Sequence, residues 1–298
     1  MRESGKRDAL TNMHPTISLL YFALVLVFSM LLMHPLCIAL SLLCAFSYAL
    51  VHRGFKSLIV VVPLLLVTAV VNPLVSHAGV TILAYLPSGN PLTLESILYG
   101  IAAACMLVSA ILWFFSFNAV MRSDKLVFLF GRIAPALSLM FSMTLRFVPQ
   151  LRAQSRVIAD AQRGIGRGGG QGGLCPRIRH GVHILSILLT WALENAIETA
   201  DSMKSRGYGL PGRTAFSLFR FEKRDRRTLV FLLVCGGTIA VGALRGGFQF
   251  RYYPAVSGVG VGWVSVSLFA AYFALCALPL VLHGKEVRAW QKSKAAQA

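Results

Sequence analysis

Residues 97–121 read ILYGIAAACMLVSAILWFFSFNAVM and contain no charged side chain. A helix rises about 1.5 Å per residue, so this stretch reaches about 37 Å, more than the roughly 30 Å hydrocarbon core of a bilayer. Uncharged runs of this length are typical of membrane spans and rare in water-soluble domains. The stretch therefore predicts a transmembrane helix.

Five further apolar segments accompany it, at residues 16–33, 35–51, 58–71, 229–243 and 259–282. The segments 58–71 and 229–243 are the shortest. Hydrophobic residues make up 56% of the chain and charged residues only 13%, with a mean hydropathy of +0.68. Soluble domains seldom have this composition. We predict an all-α polytopic membrane protein with about six transmembrane helices.

The basic residues predict how the spans are oriented. The chain has 29 Lys and Arg against 11 Asp and Glu, and the loop at 72–96 contains no Lys or Arg. If that loop and the loop at 244–258 lie outside, only Arg245 and Arg251 face outward. Lys and Arg are enriched in cytoplasmic loops. We therefore predict a multi-pass cell-membrane protein with both termini in the cytoplasm.

The spans divide the chain into three predicted regions. Residues 1–121 hold the N-terminal transmembrane helices, 122–228 form a basic cytoplasmic helical domain, and 229–298 hold the C-terminal transmembrane helices and a basic tail. Within the middle region, a helix is predicted to begin near Pro135 and to end or kink near Phe147, because Pro149 lacks an N–H. A second helix at 150–162, a glycine-rich connector at 164–173 and a third helix from 182 to about 206 are predicted to follow, the last ended by Gly207.

Two charged stripes lie on these predicted helices. Arg152, Arg156 and Arg163 share one face of the first, whereas Glu194, Glu198 and Asp201 share one face of the other. The stripes are predicted to pair when the helices meet. The alternative is that each stripe is solvated, and exposed pairs contribute only about 0–1 kcal/mol each.

Motifs for catalysis and cofactor binding are missing from the sequence. No GxxxxGK[ST] phosphate loop occurs, and the glycines at 164, 166 and 169 fit GxGxxG only after a predicted helix rather than a strand. HExxH and DDxxD are also missing, and the pair His180 and His183 lacks a third ligand. We predict no catalytic residue, no metal site and no cofactor.

Other function classes fit less well. A self-sufficient secondary transporter is expected to carry carboxylates within its spans, and none of the predicted spans contains Asp or Glu. Nucleic-acid binding is not predicted, because the basic residues of 122–227 are interleaved with acids and apolar runs. The lipid bilayer is the partner that composition requires. A secondary transporter remains the alternative, and a membrane-anchored enzyme is a third possibility.

One motif points to a family. Residues 200–209 read ADSMKSRGYG at the end of the long predicted helix. They closely resemble the second Arg-Gly signature of the transmembrane T component of energy-coupling factor (ECF) transporters, the family that includes the cobalt transport membrane proteins. Upstream, LRFVP at 145–149 and IADAQ at 158–162 resemble the approach to that family's first Arg-Gly signature.

The first signature departs from the family pattern. The family typically has alanine, glutamine, two variable residues, arginine and glycine, which aligns with AQRGIG at 161–166. Ile165 thus stands where arginine is expected, and Arg163 and Arg167 are the candidates to replace it. The second signature is intact at Arg206 and Gly207.

The resemblance implies a coupling subunit without catalytic activity of its own. Its implied partners are two ABC-type ATPases, which would hydrolyse ATP, and a small substrate-binding membrane subunit for a vitamin or a transition-metal ion. The residues implied to dock the ATPases are Ser205, Arg206, Gly207, Ala161, Gln162, Arg163 and Gly164. Those implied to support the coupling helices of region 122–228 are Arg146, Arg152, Arg156, Glu194, Glu198 and Asp201.

Overall fold

The computed structural model describes residues 9–53, 58–76, 79–85, 91–166, 173–210, 219, 221–254, 257–258 and 262–295. These residues form nine α-helices, a short 3-10 turn at Ala9–Thr11 and two small antiparallel hairpins. The helices are α1 Pro15–Leu31, α2 Pro35–Arg53, α3 Leu58–Val75, α4 Leu94–Val120, α5 Ser123–Ile133, α6 Pro135–Gly164, α7 Leu174–Ser205, α8 Lys223–Leu244 and α9 Trp263–Ala295. The strands are β1 Ile82–Tyr85, β2 Pro91–Thr93, β3 Phe250–Arg251 and β4 Ser257–Gly258.

The described residues of each predicted apolar segment lie in a helix, apart from one or two at the segment ends. Within the described residues, α4, α8 and residues 263–292 of α9 are long and apolar enough to cross a bilayer, and 15–31, 35–51 and 61–75 are shorter apolar helices. The prediction of an all-α polytopic membrane protein is confirmed. Two helices extend beyond their apolar parts, because α8 begins at Lys223 and α9 continues to Ala295.

The chain divides into two compact units, residues 1–122 with 219–298 and residues 123–218. The first unit is centred on Trp113 of α4, whose side chain is fully buried and donates from Nε1 to Ser41 Oγ of α2 at 3.0 Å. Rings from two other helices meet Trp113 edge-on or tilted, namely Tyr21 of α1 and Tyr48 of α2. Close packing of this kind holds the apolar helices in register.

A folded hairpin joins α3 to α4 in this unit. β1 pairs with β2, and the Glu95 carboxylate in the first turn of α4 accepts from Thr81 Oγ1 at 2.8 Å and from the Thr81 N–H. Gly79 has φ +142°, and a Cβ there would meet the side chains of Thr93 and Glu95. The hairpin is therefore fastened to the end of α4.

The second unit consists of α5, α6 and α7. α5 and α6 form a helical hairpin in which Ser138 Oγ donates to the Val127 carbonyl at 3.0 Å. Of the predicted end or kink near Phe147, the end is wrong, because α6 is 30 residues long and contains Pro149 in its interior. The kink stays a prediction. Pro149 is exposed, so water or lipid headgroups can satisfy the carbonyl that loses its helical partner. α7 also begins earlier than predicted, at Leu174 rather than 182.

Candidate functional site

The C-terminus of α7 is closed by a glycine in the left-handed conformation. Arg206 is the capping residue with φ −81° and ψ 8°, and Gly207 follows with φ +74°. The Gly207 N–H donates to Lys204 O at 2.9 Å and the Tyr208 N–H to Met203 O at 3.1 Å. This is the complete Schellman arrangement. The prediction that Gly207 ends the helix in this way is confirmed.

The described part of the α6 C-terminus resembles the end of α7, and its capping residue comes directly after the predicted docking residues 161–164. Ile165 is the capping residue with φ −90° and ψ 16°, and Gly166 has φ +78°. The Gly166 N–H donates to Arg163 O at 3.0 Å. Gly164 is still helical, so Gly166 takes the role that Gly207 has in α7. Ile165 therefore occupies the structural position of Arg206, and 66% of it is exposed.

A third Arg-Gly pair shows what this geometry means by itself. At the end of α8, Arg245 has φ −81° and ψ 3°, and Gly246 has φ +76°. The Gly247 N–H donates to Gly242 O at 2.9 Å, the same bond that Tyr208 makes in α7. The Arg-Gly pair thus serves to end a helix. Any recognition of a partner must come from the arginine side chain and the residues around it.

The other predicted docking residues surround the two helix ends. Ser205, the last residue of α7, donates from Oγ to Ser202 O at 2.8 Å. Arg163 forms an exposed i, i+3 ion pair with Asp160 at 3.1 Å. Ala161 is exposed, and the Gln162 side-chain oxygen is shielded but accepts no hydrogen bond from the described residues. Arg167 and residues 168–172 of the predicted connector lie outside the described residues.

The predicted pairing of the two charged stripes is wrong. The residues predicted to support the coupling helices are all exposed, namely Arg146, Arg152, Arg156, Glu194, Glu198 and Asp201. Among residues 135–166 and 173–210, the structure joins none of the three stripe arginines to Glu194, Glu198 or Asp201. The exposure of these side chains agrees with the alternative that each stripe is solvated. Arg163 pairs with Asp160 of its own helix, and no other stripe arginine has an ion pair within the residues that the structure describes.

α6 and α7 instead meet through an aromatic contact. The rings of Phe147 and Trp191 stack with centroids 6.0 Å apart and planes 21° apart. Neither was predicted as a site residue. The available signal was that each long helix has a large aromatic side chain near its middle.

The lengths of α6, of α7 and of the segment between them limit the angle at which the two helices cross. α6 continues about 25 Å beyond Phe147, while α7 extends about 25 Å before Trp191 and about 21 Å after it, at 1.5 Å per residue. The segment from Gly164 to Leu174 spans at most about 35 Å. Parallel helices would require it to span about 50 Å, so the helix directions differ by at least about 90°. Ile165 and Arg206 therefore lie about 30 Å or more apart.

Metal coordination finds no support in this arrangement. Within the part of the chain that the structure describes, no group of three or more His, Cys, Asp or Glu side chains is placed to hold a metal ion. A guanidinium at one of the two helix ends is suited to bidentate contact with a carboxylate or with backbone carbonyls.

Comparison with known families yields a match that includes both helix ends. The model of the family described as "Cobalt transport protein" matches residues 7–216, most of the chain and all of α1 to α7. The chain belongs to the cobalt transport protein family. The resemblance predicted from the Arg-Gly signatures is therefore confirmed.

Curated relatives of this cobalt transport family member bear similar names. The "Energy-coupling factor transporter transmembrane protein EcfT" of Lactobacillus helveticus is 35% identical over 106 residues, covering 35% of this chain and 38% of that protein. The protein of the same name from Lactococcus lactis subsp. cremoris is 34% identical over 99 residues, covering 33% and 37%. That from Bacillus selenitireducens is 37% identical over 106 residues, covering 35% and 40%. The chain spans about two fifths of the length of these relatives.

The two glycines near the family's signatures differ in what they tolerate. We expect Gly207→Ala to strain the end of α7, because alanine at positive φ costs about 1–2 kcal/mol and its Cβ would lie 3.1 Å from Leu210 Cδ1. Exchange of the Tyr208 amide hydrogen should then be about five-fold or more faster. Gly164→Ala is the matched control, because a Cβ there has open space within a helical conformation. The capping assignment would be contradicted if Gly207→Ala accelerated amide exchange at the end of α7 no more than Gly164→Ala does at the end of α6.

Proposed function

We propose that this chain is the transmembrane coupling subunit of an ATP-driven, ECF-type uptake transporter. It links two cytoplasmic ABC-type ATPases to a small membrane protein that captures a vitamin or a transition-metal ion. The observation that carries the proposal is the pair of exposed helix ends, each followed by a glycine at positive φ, which lie about 30 Å or more apart on either side of the Phe147–Trp191 contact. One helix end then serves each ATPase.

The chemistry of the α7 end supports docking. Arg206 is exposed at the C-terminus of α7, where the partial negative charge of the helix end favours a cation, and its guanidinium can make bidentate contacts with a carboxylate or with backbone carbonyls of a partner. Gly207 turns the chain away sharply, so that the tip can enter a groove. The predicted docking set is Ser205, Arg206, Gly207, Ala161, Gln162, Arg163 and Gly164, to which the geometry adds Ile165 and Gly166.

The exposed charges of α6 and α7 support the same role. Because the arginine and acidic stripes are solvated rather than paired with each other, they remain available to ATPase surfaces. We propose that region 122–228 is the coupling domain, that it faces the cytoplasm with both termini, and that ATP hydrolysis takes place on the partner subunits. ATP-driven rotation of the ATPases would move the two ends as arms about their aromatic contact.

Co-purification tests this function. The tagged chain, isolated from native membranes in mild detergent, is expected to retain two ATPases and one small membrane protein, identified by mass spectrometry. Uptake in cells should stop when ATP is depleted and should persist when the proton gradient is collapsed at constant ATP. Recovery of the chain alone, with uptake that follows the proton gradient, would favour the self-sufficient secondary transporter.

A further inference from the structure

Two membrane helices bring a group of cations together at one membrane surface. The first turn of α8 lies beside the part of α9 that follows its apolar residues. There, Arg224 Nη1 lies 3.3 Å from Glu286 Oε1. Arg224 Nη2 also donates to the Asn12 carbonyl at 3.4 Å. We name the exposed cations around this junction the basic rim: Lys223, Arg226, Arg227, Lys285, Arg288 and Lys292.

The acidic side chains at this junction do not balance the basic rim. Residues 222–227 and 285–292 contain three carboxylates, those of Glu222, Asp225 and Glu286. Glu286 is paired with Arg224, and Asp225 is buried and accepts from the Glu222 N–H at 3.2 Å. The six rim cations are exposed, so the surface as a whole is positive.

Two tryptophans indicate the depth of the basic rim in the membrane. Trp263 begins α9 and is 92% exposed, and Trp290 lies near its end and is 60% exposed. They are separated by about 40 Å along the helix, which matches a bilayer including its headgroups. Tryptophans are enriched at both membrane interfaces. Lys285, Arg288 and Lys292 therefore lie at headgroup level.

Apolar side chains continue directly from the rim toward the bilayer core. On α8, Val230 and Leu233 lie four and seven residues after Arg226, and hence on the same helix face, and both are exposed. On α9, Val281 is exposed one turn before Lys285. A hydrated phosphate ion would gain nothing from this apolar surface, whereas a phospholipid has both an anionic headgroup and acyl chains to place along it.

From these observations we propose that the basic rim binds an anionic phospholipid. The headgroup phosphate contacts the cations at the start of α8 and the end of α9, and the acyl chains lie along the exposed apolar side chains of both helices. The site belongs to the first compact unit, residues 1–122 with 219–298, and does not involve the ends of α6 and α7. It does not depend on the proposed coupling function.

Native mass spectrometry with added lipid tests the proposal. The detergent-purified chain is titrated with phosphatidylglycerol or with zwitterionic phosphatidylcholine, and the retained lipid is counted. We expect preferential retention of phosphatidylglycerol and a loss of affinity in Arg227→Gln/Arg288→Gln. Each of the two cations near an anionic lipid contributes about five-fold to the affinity, so the expected loss is about twenty-five-fold.

The matched control removes two exposed arginines near the opposite end of α8. Arg245→Gln/Arg251→Gln should retain phosphatidylglycerol as the wild type does. Arg227→Lys/Arg288→Lys should also retain it, which separates the loss of charge from a loss of fold. Equal retention of both lipids by the wild type, equal losses in both glutamine variants, or displacement of the lipid by millimolar inorganic phosphate would each overturn the proposal.

Discussion

Arg206→Ala is expected to abolish ATP-driven uptake while the chain still inserts in the membrane. Truncating one partner of a buried, hydrogen-bonded charge contact costs about 2–5 kcal/mol in a protein interface. That cost corresponds to a loss of about 30-fold to several thousand-fold in affinity for the ATPases. The end of α7 should persist, because its hydrogen bonds are made by backbone atoms and depend on Gly207. Uptake by cells and ATPase retention in pull-downs are the two measurements.

Arg245→Ala provides the control for this prediction. It removes the same side chain from a helix end with the same Schellman bonds, but in α8. Uptake and ATPase retention should be unchanged. Arg206→Lys tests the bidentate contact, since lysine keeps the charge without the planar fork and should recover only part of the function. Wild-type uptake in Arg206→Ala would remove the α7 end from the proposed docking site.

Trp113→Ala should produce the largest loss of stability. The indole is fully buried, packs against Tyr21, Phe22 and Tyr48, and donates to Ser41. Removing a buried Trp side chain costs about 3–5 kcal/mol through lost contacts and a residual cavity. We expect the Tm in detergent to fall by about 10 °C. The fraction that stays monodisperse on size exclusion after heating gives the Tm without relying on tryptophan fluorescence.

The same substitution at Trp263 is the control for stability. Trp263 begins α9 and is almost fully exposed, so Trp263→Ala should shift the Tm by no more than a few degrees. A comparable fall in both variants would mean that Trp113 is not the centre of the helix packing. A small effect at Trp113 alone would contradict the tight packing described for α1, α2 and α4.

Hydropathy was sufficient to predict the fold class but not the helix ends. The uncharged run at 97–121 lies within α4 except for its last residue, and the described residues of the other apolar segments also lie in helices, apart from one or two at the segment ends. Hydropathy marks only the part of a helix that lies in hydrocarbon, so it missed the charged first turn of α8 and the last turns of α9. Propensity failed at Pro149, because an exposed proline can be accommodated within a long helix.

The candidate site was predictable where it depends on local backbone geometry. Gly207 follows Arg206 at a helix end, and its left-handed conformation could be foreseen from the residue type alone. The failed pairing of the charged stripes depends on the direction of α6 relative to α7. That direction is decided by Phe147 and Trp191, which lie far apart in sequence, and by the length of the segment between the helices.

The different residues at the two capping positions make the two helix ends chemically unlike. Ile165 offers a bare hydrocarbon group where Arg206 offers a fork of five donors, although the backbones of the two ends are alike. An apolar recess on a partner would bind Ile165 and would leave the charge of Arg206 unpaired, whereas an acidic recess would bind Arg206 and gain nothing from Ile165. On the proposed function, the chain would distinguish its two ATPases, and a pair of unlike ATPases would be assembled on it in one order rather than two.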